Sequence, residues 1–352
     1  MNVLIAAGGT GGHVYPALAV AQALAQRGHR VEWVGNADSF EARALSRTDI
    51  PLHVVRVAAL RGKGLAGVLA APLNIVRAVT AAWRLLRRTR PDVVLGMGGF
   101  VAGPAGLAAW LARVPLVIHE QNAAAGLTNR LLARLSRKVL LGFEGALPGG
   151  QWVGNPVRHA VRALPSPAQR FAGREGALRV LVVGGSQGAR ALNETVPAAL
   201  ELIPAAQRPQ LRHQGGRTLA VAEAGYRAAG VQAEVTAFID DMAAALAWAD
   251  VVIARAGAST IAELSACGLG GLLVPYPHAV DDHQTANARA LVRVGAVTCI
   301  AEPQLSARDL AGWLAAMTRD RALQCAQAAC TVARPDATYD IVAGLEACGG
   351  AV

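Results

Sequence analysis

Short aliphatic runs alternate along the whole chain with longer stretches in which apolar residues return every three or four positions. The runs in the first half are residues 3–7, 30–34, 52–57, 92–95, 115–119 and 138–141. Those in the second half are residues 179–183, 210–213, 234–238, 251–254, 271–275 and 296–300. Such runs, bounded by turn-forming residues, read as buried strands, and the helical period between them reads as amphipathic helices. Alternation of the two predicts βαβ units and therefore parallel sheets.

Each half opens alike, with VLIAAGGTGG at 3–12 and VLVVGGSQG at 180–188. The repeat predicts an α/β chain of two Rossmann-like domains in tandem, their parallel sheets facing across a cleft that holds the site. The periodicity breaks between Gly154 and Arg179, where Asn155-Pro156, Pro165, Pro167 and a charged GREG run fall. The expected organisation is a first domain at 1–160, a second at 161–335, and a C-terminal helix at 336–352 packing back on the first domain.

Composition sharpens this picture. Of 352 residues 53% are hydrophobic, enough for two cores, while only 4% are aromatic, which suits aliphatic parallel strands and disfavours a β-sandwich. The first residues have no basic region before their short apolar run and read as a buried strand, not a signal peptide. The longest apolar stretch, at 65–71, falls short of the roughly 20 residues that a spanning helix needs. Cys267, Cys299, Cys325, Cys330 and Cys348 form no CxxC spacing and read as reduced thiols of a cytosolic protein. The net charge of +10 points to an anionic partner or to an arginine-rich solvated surface, and charge alone leaves both readings open.

Candidate chemistry sits where strands run into glycines. Gly8-Gly9-Thr10-Gly11-Gly12-His13 leaves the first strand for a helix expected to start near Pro16. Glycines there let backbone amides approach an anion, and a helix N-terminus carries about half a positive charge. The spacing is neither GxGxxG, since Val14 replaces the third glycine, nor a Walker loop, so NAD and ATP readings weaken. A tight strand-to-helix turn without a ligand is the plain alternative. Gly184-Gly185-Ser186-Gln187-Gly188 and Arg255-Ala256-Gly257-Ala258-Ser259-Thr260 repeat the device, and two amide-rich loops in one domain can grip a diphosphate in place of a metal. Glu263 has two readings: the closing residue of a capping box begun by Thr260, or a carboxylate accepting both ribose hydroxyls of a nucleotide.

Two further clusters follow strands. Asp281, Asp282, His283, Gln284 and Asn287 offer polar contacts to sugar hydroxyls, and adjacent aspartates at a helix start read as caps rather than metal ligands. His119-Glu120-Gln121-Asn122 ends a buried strand, where open α/β sheets place their ligands. Between residues 72 and 90 a helical wheel gathers Ile75, Val76, Val79, Ala82, Trp83 and Leu86 on one stripe, with Arg77, Arg84, Arg87 and Arg88 outside it. Such a stripe packs on a core, or, with its basic flanks and Arg61 and Lys63 upstream, forms a membrane-surface patch centred on Ile75, Val79 and Trp83.

Taken together, GGTGGHVYPALAVA, LRGKG, PDVVLGMGGFVAGP, HEQNAAAGLTN, VGNPVR, VLVVGGSQGA, FIDDM, ADVVIARAGASTIAEL and PYPHAVDDHQTANA closely resemble, in order, the bacterial N-acetylglucosaminyltransferases of peptidoglycan synthesis. The resemblance spans most of the chain and implies a GT-B fold that binds UDP-N-acetylglucosamine mainly through the second domain and lipid I through the first. It implies lipid II as product, the cytoplasmic face of the inner membrane as location, an anionic membrane surface and other cell-wall synthesis proteins as partners, and no cofactor or essential metal. Position by position, it sets Thr10, Gly11 and Gly12 beside the pyrophosphates, Asn122 on the donor sugar and Arg158 beside the nucleotide. It sets Ser186, with Gln187 and Gly188, on the diphosphate and the Ile239 backbone on uracil. Ala258, Ser259, Thr260, Ile261, Ala262 and Glu263 fall on phosphate and ribose, and Gln284 on the sugar.

The expected reaction is a single inverting displacement. His13 is the candidate base, and His119 with Glu120 is the second choice. A UDP-N-acetylglucosamine 2-epimerase shares architecture and donor but needs no acceptor, and a scaffold that binds the nucleotide sugar without turnover would show no transfer. Nucleic acid is not an expected partner, because aromatic residues are few and no recognition module is present.

Overall fold

The computed structural model describes residues 1–55, 65–185 and 187–350. They form two compact units, Met1–Pro156 with Pro335–Val352, and Val157–Arg334. Arg61, Lys63 and Ser186 lie outside the described residues.

In the first unit the order is β1 (Asn2–Ala6), α1 (Gly11–Gln26), β2 (Arg30–Gly35), α2 (Phe40–Leu45), β3 (Leu52–Val54), α3 (Leu65–Thr89), β4 (Val93–Gly96), α4 (Gly99–Leu111), β5 (Leu116–Glu120), α5 (Leu127–Leu132), β6 (Lys138–Leu141) and β7 (Gln151–Trp152). Among the described residues these strands make one parallel sheet in the order β3-β2-β1-β4-β5-β6-β7. Side chains leave a strand alternately to its two faces. Val3 and Ile5 accordingly join a core with Val20 and Leu24 of α1, whereas Leu4 and Ala6 join one with Leu86 of α3 and Ala105 of α4.

The second unit begins with α6 (His159–Arg162) and α7 (Pro167–Phe171). It continues through β8 (Arg179–Val183), α8 (Arg190–Glu201), β9 (Gln210–Gln214), α9 (Leu219–Ala228), β10 (Glu234–Thr236), α10 (Met242–Trp248), β11 (Val251–Ala254), α11 (Ala258–Cys267), β12 (Gly271–Leu273), α12 (His283–Arg293), β13 (Val297–Cys299), α13 (Ala307–Ala315) and α14 (Arg319–Cys330). Its described strands form a second parallel sheet, ordered β10-β9-β8-β11-β12-β13. The final helix, α15 (Ala337–Gly349), belongs to the first unit: Ile341, Val342 and Leu345 enter the α1 core, and Glu346 pairs with Arg27 at 3.0 Å and His29 at 2.9 Å.

Three expectations shift. The chain changes units between Pro156 and Val157, before the boundary expected at 160, so Arg158 and α6 fall in the second unit, where α6 packs on α10 and α11. The described part of the expected strand 52–57 is Leu52–Val54. Helix α1 starts at Gly11, ahead of Pro16, which is buried within it. The reversal happens earlier, because Gly9 takes φ +100° and Gly11 and Gly12 already have helical backbone.

Candidate functional site

Both sheets reverse strand order at one point, between β1 and β4 in the first unit and between β8 and β11 in the second. Open parallel sheets bind ligands beyond the carboxyl ends of the strands at such switch points. The glycine loops sit there: 8–13 after β1, 97–99 after β4, Gly184, Gly185, Gln187 and Gly188 after β8, and 255–258 after β11.

In the first unit Thr10 caps α1, and the amides of Gly11 and Gly12, in its opening turn, have no acceptor within the helix. Thr10 and Gly12 are exposed and His13 is half-buried. A residue that pattern reading missed holds the loop: the buried Glu41 of α2 accepts from Gly9 N at 3.2 Å and Asn36 N at 3.1 Å. Glu41 occupies a first-turn position, where an acidic residue looks like ordinary helix-dipole compensation. Gly99 closes the floor, since with φ +77° a Cβ there would stand 2.1 Å from Gly8 O. A Cβ on Gly98 would meet His13 Cδ2 at 2.9 Å and Asn129 Nδ2 at 3.6 Å, so His13 and Asn129 flank that glycine.

His119 and Glu120, the alternative bases, have other work. His119 is fully buried; its Nε2 donates to Gly154 O at 2.9 Å, its Nδ1 accepts from Gln121 Nε2 at 3.1 Å, and burial lowers its pKa to about 4. With both ring nitrogens engaged it cannot take a substrate proton without breaking a buried bond. Glu120 accepts from Asn122 N at 2.9 Å and Asn122 Nδ2 at 3.3 Å on one oxygen, and from Gly126 N at 3.2 Å and Asn129 Nδ2 at 2.9 Å on the other. The pair scaffolds the 121–126 loop that carries Asn122, and neither is placed as a base.

The second unit brings most of the expected donor residues together. Helix α11 begins at Ala258 with Gly257 as its cap, so Thr260 and Glu263 do not form the capping box. The first-turn amides of Ala258, Ser259 and Thr260 are thereby presented beyond β11. Ser259 adds a buried hydroxyl oxygen with no hydrogen-bond partner. Ile261 is buried in the unit, and Ala262 is half-buried beside it. Glu263 pairs with Arg158, whose Nε and Nη2 lie 2.8 and 2.7 Å from its Oε1. Burial raises the Glu263 carboxyl pKa, and Arg158 opposes that rise. Gln284 Oε1 accepts from Ala256 N at 3.2 Å and Tyr276 N at 2.9 Å, tying the loops after β11 and β12 and turning its amide nitrogen into the remaining donor. Gln187 is exposed beside half-buried Gly188. Ile239 lines a cavity of about 280 Å³ with Thr236, Phe238 and Asp240 at the end of β10.

Helix α3 divides its apolar stripe. Ala78, Ala82, Leu85 and Leu86 are buried and Val79 packs against that core, which removes Val79 from the expected patch. Ile75 and Trp83 remain exposed, at 40% and 39%, and are joined by Leu73 and by Val76 at 60%. Arg77, Arg84, Arg87 and Arg88 are exposed along the same helix. Trp110 and Leu111, at the end of α4, extend the exposed apolar surface of this unit, a feature hidden in the sequence because α4 is apolar nearly all round. Among the described residues no helix is long and apolar enough to cross a membrane.

Two parallel sheets with glycine loops at both switch points are the two-unit architecture of the GT-B glycosyltransferases. The model of the glycosyltransferase family 28 N-terminal domain matches residues 3–141 and that of the family 28 C-terminal domain residues 179–340, and the chain belongs to this family. A relative from Marinobacter nauticus is 54% identical over 346 residues, covering 96% of this chain and 95% of the relative. One from Alkalilimnicola ehrlichii is 56% identical over 346 residues, covering 97% of each. Both are named UDP-N-acetylglucosamine–N-acetylmuramyl-(pentapeptide) pyrophosphoryl-undecaprenol N-acetylglucosamine transferase. The crystal structure of Acinetobacter baumannii MurG superposes with a TM-score of 0.87 at 37% identity, over 98% of this chain and 99% of that one. The calicheamicin glycosyltransferase CalG4, at 18% identity, TM-score 0.68 and 98% of each chain, shares the fold.

Proposed function

We infer that this chain is an inverting transferase that moves N-acetylglucosamine from UDP-N-acetylglucosamine to the 4-hydroxyl of the muramyl sugar of lipid I, giving lipid II. The carrying observation is identity of 54% and 56%, over nearly the whole of both partners, with two relatives that bear this activity in their names. The acceptor hydroxyl attacks the anomeric carbon, the bond from that carbon to the β-phosphate oxygen breaks, and its electron pair leaves with UDP. Charge then builds on the diphosphate, and preorganised amides stabilise it without reorganisation. The first-turn amides of Ala258 to Thr260, with those of Gln187 and Gly188, are read as that grip, so no divalent cation is required. Glu263 is read as the ribose acceptor, Arg158 as its partner beside the nucleotide, Ile239 as the uracil contact, and the Gln284 amide nitrogen as a donor to the sugar. His13, half-buried at the start of α1, is read as the base receiving the hydroxyl proton.

A peripheral location on the cytoplasmic face of the inner membrane belongs to the same reading. Its support is the set Leu73, Ile75, Val76 and Trp83 on α3 with four neighbouring arginines, an arrangement that suits an anionic interface. Replacing Ile75, Val76 and Trp83 with serine is expected to reduce sedimentation with phosphatidylglycerol vesicles while sparing UDP affinity.

The decisive experiment is transfer of labelled N-acetylglucosamine to a lipid I analogue, with and without EDTA and with UDP-glucose as control. Expected is acceptor-dependent, EDTA-insensitive transfer with preference for the N-acetyl sugar. Consumption of donor without acceptor would mark the epimerase instead, and no transfer at all would sink the reading.

A further inference from the structure

Gly185 and Gly188, after β8, are held from outside their own loop. They take φ +78° and +80° and lean on the loop that follows β9, residues 215–218. A Cβ on Gly216 would lie 2.3 Å from Gly188 N and 2.9 Å from Gly185 O. A Cβ on Gly188 would lie 2.6 Å from Gly215 O and 2.8 Å from Thr218 Oγ1. At that distance a shift of either loop moves the other.

The supporting loop is itself held from within the core by side chains that the mechanism does not use. Asn193 of α8 is fully buried, and its Nδ2 donates to Gly215 O at 2.9 Å, Thr218 O at 2.9 Å and Thr218 Oγ1 at 2.8 Å. The two amide hydrogens are thus committed, so Asn193 Oδ1 must accept, and it faces His213 Nε2 at 2.9 Å. His213 therefore carries its proton on Nε2, Nδ1 accepts, and the Tyr226 hydroxyl donates to it at 2.8 Å. Burial lowers the His213 pKa to about 4, which keeps this tautomer neutral. Around the three stand Leu192, Val196, Leu211 and Ala222. In such a core an apolar trio would avoid the desolvation cost of three polar side chains, whereas only directed bonds can fix a loop in one place.

We propose that the chain Tyr226–His213–Asn193 is a positioning device for the donor diphosphate, setting the amides of Gln187 and Gly188 through the 215–218 loop without touching substrate. This rests on the reading of Gln187 and Gly188 as part of the diphosphate grip. His213 also borders the cavity that Ile239 lines, whereas that cavity's lining includes neither Asn193 nor Tyr226; changes at those two ends of the chain therefore test phosphate recognition apart from base recognition at Ile239 and ribose recognition at Glu263.

Calorimetry on the full chain with uridine and with UDP tests it. Wild type is expected to bind UDP more tightly than uridine; equal affinities would overturn the diphosphate grip itself, and this proposal with it. Asn193→Leu is expected to keep uridine affinity within about twofold and to lose UDP affinity by roughly tenfold or more, the size of one buried directed contact. Asn193→Asp, which cannot donate to the two carbonyls, is expected to behave alike, and the donor KM should rise more than kcat falls. Tyr226→Phe removes one hydroxyl, should fold if Asn193→Leu does not, and is expected to lose about threefold for UDP alone. If the grip holds in wild type but the folded variants lose uridine and UDP equally, or lose neither, the device is only structural and the proposal falls.

Discussion

Glu120→Gln changes one atom, and the hydrogen-bond pattern makes its consequence calculable. Each carboxylate oxygen accepts two N–H groups: Asn122 N and Nδ2 on Oε1, Gly126 N and Asn129 Nδ2 on Oε2. An amide in either flip therefore turns an NH2 group toward two donors and loses two charge-assisted bonds. At about 1.5–3 kcal/mol each, with partial relaxation of the loop, the net loss is about 3 kcal/mol. For a unit of this size roughly 2–4 °C follows per kcal/mol, so its thermal midpoint is expected to fall by roughly 6–12 °C. Differential scanning calorimetry measures that fall, and hydrogen exchange should show the Asn122 and Gly126 amides losing protection together. The control is chemical: a base at Glu120 would make the variant inactive yet as stable as wild type. A midpoint within about 2 °C of wild type, with both amides still protected, would refute the scaffold reasoning.

Other perturbations follow from the same geometry. Arg158→Met removes the cation that opposes the burial-raised carboxyl of Glu263, so that carboxyl is pushed up further and UDP affinity should fall more steeply with decreasing pH than in wild type; parallel pH profiles on calorimetry would count against it. His119 and His213 stay neutral until about pH 4, while in the unfolded chain each takes up its proton near 6.5. The stability they confer is present above pH 6.5 and drains away as pH falls toward 4, by about 3 kcal/mol for each at about 1.4 kcal/mol per pH unit. Thermal midpoints should drop over that window, more shallowly in His213→Gln. His13→Ala should lose turnover far more than donor affinity in steady-state kinetics, and unchanged turnover would remove it as the base.

Much of this protein was legible in one dimension because two patterns carry it. Continuous aliphatic runs, separated by helices of period 3.6, bury side chains on both sides of each strand and so fit parallel sheets covered on both faces. The paired glycine signatures after β1 and β8 marked both halves, because the strand-to-helix turns there run through positive φ at Gly9, Gly185 and Gly188, a conformation that favours glycine. Where sequence reading slipped, the cause was contact between distant segments. Pro16 looked like a helix start because proline favours first turns, yet the reversal is made by Gly9, and α1 opens at Gly11. Thr260 and Glu263 have the spacing of a capping box, but the cap is Gly257, and Glu263 meets Arg158 from more than a hundred residues away.

Side-chain chemistry alone determined that this chain has two α/β units with loops suited to phosphate, since local pattern and backbone sterics suffice for that. Only tertiary structure decided which polar groups are sealed in the core and which border solvent. His13, His119 and His213 are the same residue type, but two are sealed in the core with both nitrogens bonded and one stands half-exposed at a helix start. Burial and hydrogen-bond partners are properties of the packed chain, and they set protonation through solvation, which no spacing along the sequence encodes.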